Sequence, residues 1–227
     1  MVDGGANIGY STSIFAARLG SKGKIHSFEP DPRAFCELQK NVRVWEDRGQ
    51  CGPFVLHHAA LGARTGTATL HVPESSGWNG GRARIETTPI AEPGSRLEVN
   101  LVSLDEVFRS GERISVVKLD LEGFELDALM GMEQMLRERR IDHIVFEEFG
   151  DFPAPTHEFL RKAGYSVFGL ESHFLGLKCC RNKQPRTNPV YGPPPNYVAT
   201  YEPEKTVRRL ERGLWRSFGP ASYLSSP

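Results

Sequence analysis

The chain predicts an α/β fold in which a doubly wound, mostly parallel sheet carries helices on both faces. Three observations predict it. Short apolar strand patterns alternate with helix patterns along most of the 227 residues. Residues 2 to 9 read Val-Asp-Gly-Gly-Ala-Asn-Ile-Gly, an acid closing a strand and then a glycine-rich turn into a helix. Glu29 follows the end of the next strand pattern, twenty residues past Gly9. There a doubly wound sheet offers an acid to ribose hydroxyls.

The elements follow in order. Ser11 to Leu19 reads as a helix stopped by Gly20, and Lys24–Phe28 as a strand. Asp31 is placed to cap the next helix, with Pro32 at its first position and Ala34 to Val44 along its length. Phe54–Ala59 is a strand, followed by Ala60-Leu61-Gly62. Thr67–Val72 alternates as an antiparallel strand does, with Leu97–Val102 as a nearby partner. Ser115–Leu119 is a buried strand, Phe124 to Arg139 one helix and Ile141–Glu147 another strand. His157–Ala163 is helical, Tyr165–Leu170 extended and Tyr197–Tyr201 the last strand. Beyond Pro203, residues Val207, Leu210 and Leu214 recur at helical spacing among arginines. That pattern fits a surface helix better than a membrane anchor. The expected organisation is one domain over residues 1–202 and a helical tail over 203–227.

Two stretches interrupt the pattern. Residues 73–96 are rich in Gly, Ser and Pro and hold Trp78, Arg82 and Arg84. A substrate lid and a loose insertion both fit them. Residues 185–196 carry too many prolines for a helix or a central strand.

The glycine spacing separates two cofactor classes. A dinucleotide turn needs G-x-G-x-x-G, and no such triplet can be drawn through Gly4, Gly5 and Gly9. A carboxylate at Asp3 would repel a phosphate. It suits a ligand with a cationic head and no phosphate, such as the amino acid end of S-adenosylmethionine. A tight turn without a ligand is the plain alternative for the glycines, and an exposed strand end is that for Glu29. The two features together, at this spacing, favour a nucleoside cofactor.

A second constellation is Lys118-Leu119-Asp120-Leu121-Glu122-Gly123-Phe124-Glu125, at the carboxyl end of a strand, where open α/β sheets form their crevice. Lys118 and Asp120 share one face, and a lysine in so apolar a strand needs an acidic partner. Glu147 and Glu148, ending a later strand, are candidates. A structural ion-pair network with an acidic first helical turn competes with catalysis here, most strongly for Glu125. Asp120, Glu122 and Glu147 could gather a metal through oxygen ligands, but a solvated acidic cluster is the simpler reading, and no metal is assigned.

Composition removes other classes. Lys plus Arg and Asp plus Glu are 28 each, so no long-range attraction to nucleic acid or anionic membrane is implied. No apolar run approaches the roughly 18 residues of a membrane span. Cys36, Cys51, Cys179 and Cys180 show no zinc spacing and read as reduced thiols of a cytoplasmic protein. Asn188-Pro189-Val190-Tyr191 superficially matches an amino-methyltransferase signature, but Val190 stands where proline is needed and the segment lies too late.

Five segments in order, Val2–Gly9, Ser-Phe-Glu-Pro at 27–30, His-Ala-Ala-Leu-Gly at 58–62, Val-Ser-Leu-Asp at 102–105 and Lys118–Glu125, resemble the FkbM-type methyltransferases. The resemblance covers roughly residues 2 to 150. It implies the class I S-adenosylmethionine-dependent fold, with seven strands in the order 3-2-1-4-5-7-6 and the last antiparallel. The implied activity is methylation of a hydroxyl on a small molecule, a sugar or a glycolipid. It places Asp3, Gly5, Asn7 and Gly9 around the methionine part of the cofactor and Glu29 on the ribose. His58, Ala59 and Ala60 would flank the adenine, and Asp120 and Glu122 would face the methyl group. Asp120 is the first choice of base, with Glu122 and Glu147 in reserve. The expected partner is a small hydroxylated molecule, with neither nucleic acid nor a membrane span; oligomeric state is left open.

The motif begins at residue 3, so the first strand is expected to be a stub and stability to fall below the family norm. An upstream extension that raised the melting temperature would bear this out. A catalytically degenerate cofactor-binding module, or a fragment of a longer methyltransferase, is the competing reading.

Overall fold

A central parallel strand is buried on both faces, so it needs apolar residues throughout. The segments around Val117, Leu119, Ile144 and Phe146 meet that need, and all four side chains are fully buried. The computed structural model describes residues 1–20, 23–49, 53–74, 82–109, 111–150, 152–173, 176–181, 185 and 196–213. The chain divides into two units, Met1–Glu147 and Glu148–Pro227.

In the first unit, β1 (Val2–Gly4) pairs in parallel with β2 (Ile25–Phe28) on one side. β3 (Phe54–His57) then pairs in parallel with β2. Two later strands, β8 (Ile114–Leu119) and β9 (Ile141–Glu147), extend the sheet from the other side of β1, also in parallel. The order β3-β2-β1-β8-β9 reproduces the expected 3-2-1-4-5, and the fold is of the doubly wound α/β class. Helix α1 (Tyr10–Leu19) follows β1 directly, and α2 (Pro32–Asp47) follows β2. Asp31 caps α2 by accepting the Arg33 N–H at 2.8 Å, with Pro32 at the first helical position as the sequence predicts. Leu38 and Val42 of α2 bury against Ala6, with Phe35, Trp45, Phe54 and Leu56 packed around them.

Between β3 and β8 the chain builds a second sheet. β4 (Ala60–Leu61) pairs in parallel with β7 (Gly94–Val102). β5 (Gly66–Pro73) runs antiparallel to β7 over eight residue pairs, and β6 (Arg84–Ile85) pairs antiparallel with β5. The pairing of 67–72 with 97–102 is as expected; the two-residue strands β4 and β6 are too short for periodicity to reveal. Of the stretch 73–96, residues 84–85 pair with β5 and residues 94–96 belong to β7. Trp78 lies outside the described residues.

The single helix expected over Phe124–Arg139 is a correction. Two short helices, α4 (Glu125–Met130) and α5 (Glu133–Arg137), stand there. At Gly131 a Cβ would collide with the carbonyl of Gly62, and the Gly131 carbonyl accepts the N–H of Asp105 at 2.9 Å. Asp105 is the second residue of α3 (Leu104–Val107), which Ser103 caps by accepting the Glu106 N–H on its hydroxyl. The Asp105 carboxylate then accepts the N–H groups of Gln134 and Met135, each at 2.9 Å, and so caps α5 from outside. A distant carboxylate competes with the helix for its own backbone donors.

In the second unit, β10 (Ser166–His173) is antiparallel to both β11 (Gly176–Arg181) and β12 (Asn196–Thr200). β11 is a strand beyond the seven expected. Helix α6 (Pro155–Lys162) buries Leu160, and α7 (Pro203–Gly213) is tied to β12 through the hydroxyls of Thr206 and Thr200, 3.1 Å apart. Leu214, Cys51 and most of the proline-rich stretch lie outside the described residues; Cys36, Cys179 and Cys180 are free thiols. Among the described residues no helix is long and apolar enough to cross a membrane.

Candidate active site

The turn after β1 is built on a buried ion pair. Asp3 is fully buried, accepts the Thr12 hydroxyl at 2.6 Å and lies 3.2 Å from the Lys118 ammonium. Lys118 also lies 3.3 Å from Asp120 and donates to the carbonyl of Gly5 at 3.0 Å. One cation thus ties the glycine turn to the loop that ends β8. Its acidic partners are Asp3 and Asp120, not the acids from β9 and beyond that the strand pattern offered. Burial pushes the Asp3 carboxyl up, and the nearby ammonium offsets this in part. Burial works against the Lys118 ammonium as well, but its two carboxylate neighbours outweigh that and hold its pKa above the ordinary lysine value.

Gly5 has φ +68°, and a Cβ there would overlap the carbonyl of Asp120. The residue must be glycine for the β1 turn and the β8 loop to touch. Gly9 has φ +102°, and a Cβ would come within 2.8 Å of Leu38 and Trp45. Its glycine is therefore required by the packing of α1 on α2.

Above this base lies a cavity bordered by Gly5, Asn7, Glu29, Ala60, Asp120 and Glu122. Six of the sequence-derived site residues thus meet in one place. Phe28, Leu61 and Phe124 form apolar wall, as do Leu70 and Ile85, a cross-strand pair of β5 and β6. That wall went unread in the sequence, because the folding of β5 over the main sheet leaves no local signal. Arg84 also reaches the cavity.

Glu29 is 6% exposed, and its two carboxylate oxygens accept the N–H groups of Asn7 at 2.7 Å and Asp31 at 2.8 Å. Burial raises its pKa to about 7, against the pull of those two donors. Asn7 adopts φ +49°, and among the described residues its buried Oδ1 has no hydrogen-bond partner. A buried amide oxygen without a donor is costly, and a ligand that donates to it recovers the loss.

On the opposite rim, Glu122 sits at φ +53° in the loop ending β8. Burial raises its pKa, with repulsion from Asp120 adding to the effect and Arg82 and Arg84 opposing it. Glu125, also buried, reaches back to accept the Leu121 N–H at 2.8 Å and holds this loop.

Other candidates stand apart from the cavity wall. Asp3 and Gly9 lie beneath it, and Ala59 is buried beside Ala60 without reaching the cavity. His58 is exposed, stacks on Phe35 at 4.7 Å and donates from Nε2 to the Pro30 carbonyl at 3.1 Å. Glu147 ends β9, next to β8, and is not among the cavity-lining residues.

Comparison with known proteins places this geometry. The methyltransferase FkbM domain family matches residues 3–167. Methyltransferase 1 of Beauveria bassiana is 28% identical over 187 residues, covering 74% of this chain and 72% of that protein. The hexuronic acid methyltransferase AglP of Haloferax volcanii is 31% identical over 137 residues, 60% of this chain and 50% of AglP. The crystal structure of a methyltransferase FkbM from Methylobacillus flagellatus superposes with a TM-score of 0.54 at 20% identity, over 87% of this chain and 42% of that one. The chain thus spans half of AglP and less than half of the M. flagellatus protein. With the family match running from the acid of the glycine turn through β9 and beyond, the chain belongs to the FkbM methyltransferase family.

Proposed function

We propose that this chain is an S-adenosylmethionine-dependent methyltransferase that methylates a hydroxyl oxygen of a small molecule, a sugar or a glycolipid. The observation that carries the reading is the pairing of Glu29 with Asn7 at one cavity wall. A buried carboxylate at the end of β2 and an amide oxygen lacking a donor suit a ligand rich in O–H and N–H groups. The cofactor, when bound, supplies an electrophilic methyl on a sulfonium. Glu29 would accept both ribose hydroxyls, and Asn7 with the turn at Gly5 would hold the amino acid end. Ala60 and Leu61 would border the base. Asp3 acts from below, fixing Lys118 and the turn.

The chain's own chemistry is to align the acceptor oxygen, worth up to roughly 7–11 kcal/mol in ideal cases, and to take its proton, worth about 10²–10⁴-fold. Asp120 is the first candidate for that proton. Glu122 is the second, since its raised pKa brings it nearer to neutral pH. The likeness to a protein named for hexuronic acid puts sugar hydroxyls first among acceptors to screen.

Calorimetric titration with S-adenosylhomocysteine tests the reading. Saturable micromolar binding that Glu29→Ala abolishes is the expected result. Absence of binding by the wild-type chain would overturn it. Methyl transfer to any acceptor would then separate an active enzyme from a degenerate binding module.

A further inference from the structure

Beside the cavity lies a second cleft, with the 84–92 segment on one side and Glu122-Gly123 on the other. Arg84, Ile85 and Glu122 border both hollows. A molecule in the second cleft would therefore lie against the same loop that carries the candidate bases.

The rim of this cleft is fixed at several points. The Glu86 N–H donates to the Thr69 carbonyl at 2.9 Å. Arg96 donates from Nη2 to the Ile90 carbonyl at 2.7 Å and from Nε to Glu86 at 2.8 Å. The fully buried His71 ring bonds through Nε2 to the Glu92 carbonyl at 2.9 Å, and Gly94 is there because a Cβ would meet that ring at 2.6 Å. Arg84 and Glu92 face each other at 3.4 Å. A site held in this way is already formed before its ligand arrives, which lowers the ordering cost of binding.

The chemistry of the lining selects a ligand class. Thr87 and Thr88 offer hydroxyls, Glu92 and Glu122 accept, and Arg84 donates. Among the described residues lining the cleft, hydrogen-bonding groups predominate and none is aromatic. An acyl chain would strip water from charged groups without replacing its hydrogen bonds. A sugar presents hydroxyls in several directions and small C–H patches that suit Ile85 and Ile90. Arg82 and Arg84 are balanced by Glu92 and Glu122, so the cleft is matched to hydroxyls rather than to net charge.

We propose that the cleft between residues 84–92 and Glu122-Gly123 is the acceptor subsite and that its ligand is a carbohydrate. The proposal rests on the methyl-transfer reading above. Its test is saturation-transfer NMR on the chain saturated with S-adenosylhomocysteine, using glucose, glucuronate and 4-methylphenol as probes. A sugar signal is expected, with none from the phenol. The double variant Thr87→Val/Thr88→Val, and separately Glu92→Gln, should weaken the sugar signal about fivefold or more, while S-adenosylhomocysteine affinity stays within about twofold. Thermal melts of both variants confirm that they fold. Binding of the phenol alone, no sugar signal, or sugar signals unchanged in both variants would overturn the proposal with the cofactor reading intact. Failure of the wild-type chain to bind S-adenosylhomocysteine would overturn both.

Discussion

Lys118 and Asp3 form an ion pair 3.2 Å apart in a place where Asp3 has no access to water. Removing one partner leaves a buried charge unpaired, whereas removing both need not. Lys118→Met should therefore cost about 3–5 kcal/mol in urea denaturation. The double variant Asp3→Asn/Lys118→Met should lose clearly less than the two single losses added together. Strict additivity would mean that the pair does not act as a unit.

Gly5 is constrained twice, by its positive φ and by the Asp120 carbonyl against its Cα. Gly5→Ala should destabilise by at least about 1–3 kcal/mol from backbone strain alone. Because the displaced group is backbone of the β8 loop, S-adenosylhomocysteine affinity should fall as well. An alanine variant with wild-type melting temperature and affinity would show that the loop can retreat freely.

The fold was legible where local pattern and tertiary demand agree. Asp31 caps a helix with its own side chain, and the acid-glycine turn needs only its neighbours. The break at Gly131 was not legible, because its causes lie elsewhere in the chain, at Gly62 and Asp105. The same holds at the site. Asn7, Glu29 and Asp120 could be named from spacing, but the wall formed by Leu70 and Ile85 comes from a sheet whose folding over the cavity no periodicity reveals. An apolar strand around Lys118 demands an acidic partner, yet which acid depends on register. β1 lies between β2 and β8, and Asp3 sits level with Lys118.

Asp105 offers a direct check on that account. Its carboxylate caps α5 across roughly thirty residues of sequence, and losing such a cap costs typically about 1 kcal/mol. Asp105→Ala should lose about 1–2 kcal/mol, since two N–H groups are abandoned. Asp105→Asn, which keeps one acceptor oxygen, should lose less. Equal losses would assign the effect to something other than the cap.

Glu29 makes the empty and bound chains respond differently to pH. Its folded pKa of about 7 lies above the ordinary 4.5. Between those values the folded chain holds a proton that the unfolded chain has released, so stability falls as pH rises through this window. The loss approaches about 3 kcal/mol by pH 8 as an upper figure. Glu29→Gln removes this slope. S-adenosylhomocysteine should bind more tightly by up to about tenfold at pH 8 than at pH 6, because the ionised carboxylate accepts both ribose hydroxyls. A flat affinity over that range would remove Glu29 from the ribose.

The choice of base rests on two neighbouring carboxylates of different surroundings. Asp120 lies 3.3 Å from Lys118 and lines the cofactor cavity, while Glu122 borders both hollows and is pushed up by burial. If Asp120 takes the proton, Asp120→Asn should lower kcat by about 10²–10⁴-fold, with S-adenosylhomocysteine affinity little changed. Glu122→Gln should then raise the acceptor KM more than it lowers kcat, because its carboxylate would hold the acceptor rather than react with it. The reverse pattern, with the large kcat loss and the loss of a pH-profile limb at Glu122→Gln, would transfer the role. Lys118 supplies the physical reason to watch for that reversal. Its ammonium already engages the Asp120 carboxylate at 3.3 Å, while no cation stands as close to Glu122 among the ion pairs of the described residues.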